Sequence, residues 1–125
     1  MKLLLDTHVL LWAAADSPRI KAVRKRLLAS DNEVFFSVAS LWEISIKASL
    51  GKLQANAAEI RDAALDNGFL ELPVQGQHAL YVGGLPWHHR DPFDRLLVAQ
   101  AAAEPMRLLT ADEQLLAYGG QVEII

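Results

Sequence analysis

Four acidic residues, Asp6, Glu43, Asp94 and Asp112, recur at equivalent places, each just after a short apolar run or in the first turn of the helix expected to follow it. Carboxylates brought face to face repel, and a hard divalent cation such as Mg2+ or Mn2+ offsets that repulsion through oxygen coordination. With two ions about 4 Å apart, such a site activates water and stabilises both oxygens of an in-line phosphoryl displacement. Cysteine is absent, so only oxygen and imidazole donors are available to a metal. Each acid also admits a purely local role. Asp6 can cap a helix beginning at Thr7; Ser40-Leu41-Trp42-Glu43 matches a capping box, with Glu43 four residues before Lys47. Asp91-Pro92-Phe93-Asp94 reads as a cap, a first-turn proline and an acid favoured by the helix dipole, and Thr110-Ala111-Asp112-Glu113 matches a second capping box. Capping needs only local fit, whereas metal chemistry needs all four acids to converge at one edge of a sheet.

The elements that must position these acids follow from the spacing of apolar residues. Residues 2–5 form an apolar run ended by Asp6, as expected of a strand buried on both faces of a parallel sheet. Residues 7–15 read as a helix, and Asp16-Ser17-Pro18 closes it and opens another, with Ser17 as cap and Pro18 in the first turn. In that second helix Ile20, Val23, Leu27 and Leu28 share one face, with Lys21, Arg24 and Lys25 largely opposite. A strand over 34–36 and a helix over 37–50, stopped at Gly51, come next, then a helix over 55–66, a strand over 69–72 and a short helix over 75–82. Asp91-Pro92 opens a helix through Glu104 with Phe93, Leu96, Leu97 and Ala101 inward; strands at 107–109 and 122–124 flank a short helix over 113–118. Strands alternating with helices imply an α/β fold, a parallel sheet covered on both sides by right-handed crossovers. Ligands of such sheets bind beyond the carboxyl ends of the strands, where all four acids are expected.

Composition narrows the class. At 125 residues and 52% hydrophobic, the chain is expected to form one domain, 1–125, with a packed core and no linker or repeat. The apolar start is broken at Asp6 before it could serve as a signal-peptide core, and the stretch from Val9 to Ala15 is far shorter than the roughly 20 residues needed to span a bilayer. A soluble protein of the reducing cytoplasm is the expectation. The net charge of −3 supplies no general basic footprint, so nucleic-acid binding must be local. The candidate patches are Lys21, Arg24, Lys25 and Arg26; Lys47 and Lys52; and His88, His89 and Arg90 with Arg95, each of which also reads as a solvated face.

Leu3-Leu4-Leu5-Asp6-Thr7-His8, the segment Ser37 to Ile44, His89-Arg90-Asp91-Pro92-Phe93-Asp94-Arg95-Leu96-Leu97, and Leu109-Thr110-Ala111-Asp112 resemble, in order and spacing, the successive motifs of PIN-domain ribonucleases. The likeness runs from Leu3 to Ile125 and is greatest to small bacterial members such as VapC-type toxins. It implies a parallel sheet in the order 3-2-1-4-5, with Asp6, Glu43, Asp94 and Asp112 carrying Mg2+ or Mn2+ and Asp6 and Asp94 the surest ligands. It further implies that the hydroxyls of Thr7 and Thr110 line the site and that Asp91 stands nearby, orienting metal-bound water or capping its helix; the cap is favoured. The expected activity is endoribonucleolytic, the expected partners are RNA, a second copy of the chain and a cognate antitoxin whose Arg or Lys enters among the carboxylates.

His88 and His89 are read as exposed loop residues, with contact to phosphate or metal as the alternative. Trp12, Trp42 and Trp87 offer faces for base stacking, although Trp42 beside Glu43 reads better as a core or interface residue. A phosphoacceptor receiver domain is excluded by the single acid after the first strand and by Glu104-Pro105 where it needs a lysine; a haloacid-dehalogenase-like phosphatase needs an acid where His8 stands. The remaining alternatives are a PIN-like module that binds without cleaving, marked by loss of carboxylates, and a housekeeping nuclease without an antitoxin.

Overall fold

A computed structural model, describing residues 1–125, places five parallel strands in the order β3-β2-β1-β4-β5. The strands are β1 (Lys2–Leu5), β2 (Glu33–Ser37), β3 (Leu70–Leu72), β4 (Arg107–Thr110) and β5 (Val122–Ile124). The helices are α1 (Thr7–Ala14), α2 (Lys21–Leu27), α3 (Val38–Ser49), α4 (Ala57–Asp66), α5 (Gly76–Val82) and α6 (Pro92–Ala103), with 3-10 turns at Pro18–Ile20 and Glu113–Tyr118. The α/β class and the order 3-2-1-4-5 expected from the sequence both hold.

Strand alternation sorts the apolar residues into two layers. Leu3 and Leu5 of β1, Val34 and Phe36 of β2 and Leu109 of β4 pack with Val9, Leu10, Leu27, Ile44 and Ala64 of α1 to α4. Leu4 and Leu108 face the other way, against Leu97, Val98 and Ala101 of α6 and Leu115 of the last 3-10 turn. β1 is therefore covered on both faces; Leu3, Leu4 and Leu5 have no exposed surface, each contributing about 2 kcal/mol of hydrophobic stabilisation. A polar chain crosses the second layer: Ser37 Oγ donates to Gln100 Oε1 (2.6 Å), and the buried His78 Nε2 lies 2.5 Å from Glu104 Oε2.

Because β1 pairs with β2 on one side and β4 on the other, Leu5 stands level with Phe36 and with Leu109. The chain winds outward from β1 in opposite directions, and the residues immediately after β1, β2 and β4 meet at this switch point.

Some boundaries differ from the expected ones for local reasons. β2 runs on through Ser37, whose extended backbone and side chain, accepting from Ala39 N–H (3.0 Å), make it the cap of α3. The capping box at Ser40-Leu41-Trp42-Glu43 is not formed; both of its ends lie inside α3, so Glu43 sits in the second turn and not in the first. The second capping box, at Thr110, is not formed either, since Thr110 ends β4 and Asp112 itself caps the following turn by accepting from Gln114 N–H (3.0 Å). α4 begins at Ala57 under an Asn56 cap, β3 begins at Leu70, and the 113–118 segment is a 3-10 turn.

Candidate metal centre

Each acid reaches the switch point through its own segment. Asp6 ends β1 and caps α1, its Oδ1 accepting from Val9 N–H at 2.8 Å. Its Oδ2 accepts from the Thr110 hydroxyl, which also accepts from Asp112 N–H at 3.0 Å, so β1, β4 and the turn after β4 are tied through one hydroxyl. Thr7 Oγ1 donates to Glu43 Oε1 at 2.7 Å and lies 2.9 Å from Ser40 Oγ. The other oxygen of Glu43 meets Lys47 Nζ at 2.6 Å, one turn further along α3. Asp91 caps α6 by accepting from Asp94 N–H at 2.9 Å, the role favoured for it, and Pro92 occupies the first turn.

Asp94, in the first turn of α6, faces the other acids with no hydrogen bond to its carboxylate. Burial first, then the charges of Asp91, Asp6 and Glu43, push its pKa up to about 7, with His89 opposing. Asp6 is also raised, chiefly by burial and slightly by Glu43, against the hydrogen bonds from Thr110 and Val9. Lys47 is raised by its hydrogen bond to Glu43 and, more weakly, by Asp91 and Asp94. Capping and clustering thus coexist: Asp6, Asp91 and Asp112 cap, and Asp6, Glu43, Asp91 and Asp94 still feel one another as charge.

Oxygen and imidazole donors with excess negative charge and no thiolate suit a hard divalent cation. Ligand atoms of His89, Asp94 and Asp112 all lie within 4.8 Å of one another. His89 departs from its reading as an exposed loop residue: its side chain is 13% exposed, and its Nε2 stands 3.0 Å from Asp112 Oδ2 and 3.7 Å from Asp94 Oδ2. His88 does remain exposed, edge-on to Tyr118.

Arg95 also departs from its expected place in a surface basic patch. It is buried, and its guanidinium donates to Pro86 O (3.0 Å), Val82 O (3.2 Å) and Tyr118 Oη (3.0 Å) beneath the Trp87 ring. Two residues of the α2 patch are engaged as well, Arg24 with Asp16 and Arg26 with Glu123. Trp42 is exposed rather than core, its ring edge-on to Phe93 at 5.2 Å in an apolar groove shared with Ala79, Val82 and Leu96.

Among solved structures the fold is similar to a chain of VapBC2 from Rickettsia felis, bound to a DNA fragment from its promoter, at TM-score 0.72 and 18% identity, covering 100% of this chain and 98% of that one. It is similar to DNA-bound VapBC from Salmonella typhimurium at TM-score 0.70 and 20% identity, over 99% and 98% of the two chains. VapBC-5 from Mycobacterium tuberculosis, a member of the VapBC family of toxin-antitoxin systems, is similar at TM-score 0.58 and 25% identity, over 99% and 97%. No curated protein matches the chain in sequence. The family described as PIN domain matches residues 3–121, a span that runs from within β1 through β4 to just before β5 and includes every acid of the cluster. By that match and by its sheet order, this chain belongs to the PIN domain family.

Proposed function

We propose that the protein is an endoribonuclease dependent on Mg2+ or Mn2+ and the toxin of a type II toxin-antitoxin pair. The observation that carries this reading is the convergence of acids from four separate segments at the switch point, where burial first, and then the charges of Asp91, Asp6 and Glu43, raise the Asp94 carboxyl to about 7. Asp6, Glu43, Asp94 and Asp112 would hold the metal. When bound there, a divalent cation supplies activated water and charge stabilisation for attack on a phosphodiester phosphorus.

The chain's own residues fix the acids for that task. Thr110 and the α1 amide of Val9 lock both oxygens of Asp6, and Thr7 orients Glu43. Asp91 spends its carboxylate on the α6 cap and so holds Asp94 at the site through the backbone. Lys47 neutralises the outer oxygen of Glu43 and marks where a cationic side chain approaches the cluster. A cognate antitoxin would place an Arg or Lys there, competing with the metal for the same charge. The solved VapBC structures of like fold support a partner of that kind. The exposed Trp42 and its groove support a homodimer face. No helix is long and apolar enough to cross a membrane, and cytoplasmic action on RNA is part of the proposal.

The test is cleavage of total cellular RNA with the new ends mapped. Water attacking phosphorus directly leaves 5′-phosphate and 3′-hydroxyl ends and needs no 2′-hydroxyl. Undiminished cleavage in EDTA, or cyclic phosphate products, would overturn the mechanism.

A further inference from the structure

His89 stands among the acids close enough to pass for a metal ligand, yet its two nitrogens have different partners. Asp91 N–H lies 3.1 Å from Nδ1. A backbone amide only donates, so Nδ1 carries the lone pair, and the single proton of the neutral ring is on Nε2. That N–H faces Asp112 Oδ2 at 3.0 Å and has no lone pair to offer a cation. The opposite tautomer would set Nδ1–H against Asp91 N–H.

We propose that His89 is a positioning residue for Asp112 and not a ligand. Its Nε2–H holds Oδ2 while Gln114 N–H holds Oδ1, so the carboxylate is fixed at both oxygens and each keeps a lone pair for a cation. The ring is braced in turn. His89 N–H donates to Tyr118 Oη at 3.1 Å, and the same oxygen accepts from Arg95. Arg95 is 3% exposed and has no carboxylate partner; it is spent on carbonyls of the segment leading to His89, under the Trp87 ring at 3.9 Å. A buried guanidinium used in this way fixes the loop from which His89 reaches across to the turn after β4. Hydrogen-bond partners of ligating carboxylates typically hold 10- to 100-fold of metal affinity.

This role rests on reading the acids as metal ligands, and the experiment separates the two. In the metal-free protein, long-range 1H–15N NMR should show His89 with Nδ1 unprotonated and Nε2 protonated, its signals assigned by their loss in His89→Gln. In Mn2+ titrations followed by EPR, His89→Ala should weaken binding by about 10- to 100-fold, and His89→Gln, whose amide offers a donor at similar reach, should recover most of that loss. Pulsed EPR of the Mn2+-loaded parent should show no 14N coupling from His89. A ring protonated on Nδ1, a 14N coupling that vanishes in His89→Gln, or unchanged affinity in His89→Ala would overturn the positioning role while leaving the metal site standing. Failure of the parent to bind Mn2+ at all would overturn the metal site and this role together. Should His89→Ala not unfold cooperatively in EDTA, the tautomer and the 14N measurement in the parent decide the matter.

Discussion

Replacing Asp94 by asparagine should make the metal-free protein more stable, an unusual outcome for a change at a helix start. The folded carboxyl is raised from 3.8 to about 7, which at 1.36 kcal/mol per pKa step amounts to about 4 kcal/mol at most. The side chain is 23% exposed, and solvent screening brings the usable figure to about 2 kcal/mol. Against this, loss of a first-turn acid costs about 0.3–1 kcal/mol at the α6 dipole. The Asp91 cap is untouched because it binds the Asp94 backbone. The net gain is about 1–2 kcal/mol, or roughly 3–8 °C in Tm for a chain of this size. The sign follows from linkage. A carboxyl whose folded pKa is raised contributes stability below its unfolded value, near 3.8, and that contribution is lost as pH rises through about 7. Melts in EDTA should therefore show the advantage of Asp94→Asn in full at pH 8 and shrinking steadily toward pH 4. Mn2+ at about 100 times its Kd should add roughly 2.7 kcal/mol to the parent and much less to the variant. If Asp94→Asn instead melts below the parent in EDTA, and neither protein responds to Mn2+, Asp94 serves only its helix and the shared site is wrong.

Asp6→Asn should abolish Mg2+-dependent cleavage and relieve the growth inhibition caused by expressing the chain alone, with protein levels equal or higher, since the amide oxygen still caps Val9 N–H; an equally toxic and nucleolytic variant would refute the catalytic assignment. Lys47→Met removes the cation facing Glu43; Lys47 is 40% exposed, so the pair contributes up to about 1 kcal/mol, the metal-free protein should lose that much, and Mn2+ should bind up to about fivefold tighter by calorimetry. Weaker Mn2+ binding would show that Lys47 supports the site instead of competing for it.

The sheet was legible because Leu3–Leu5 and Leu108–Thr110 are buried on both faces, which leaves an apolar run in each strand after its first residue. Asp6 was legible for a related reason: a strand that must stop at the switch point puts the next polar residue there. Ser37 was not recognised as the α3 cap because Ser37 and Ser40 carry equal local signals, and only β2 pairing through Ser37 with Leu72 decides between them. Arg95 looked like part of a basic patch, although it shares a helical face with Val98 and Ala99, both fully buried; that periodicity was the available signal. The contact of His89 with Asp112 left no local signal, because it joins a loop to the turn after β4, 23 positions away.

The bond from Thr110 to Asp6 spans 104 positions of sequence. A ribosome adding 5–20 residues per second delivers those two partners about 5–20 s apart. Through that interval the central strand has no β4 beside it, and the first acid has neither its hydroxyl partner nor Asp112 for company. The site proposed here for cutting RNA is thus incomplete throughout most of its own translation: its last acid and the hydroxyl that ties it to the first arrive only after nearly the whole chain has been made.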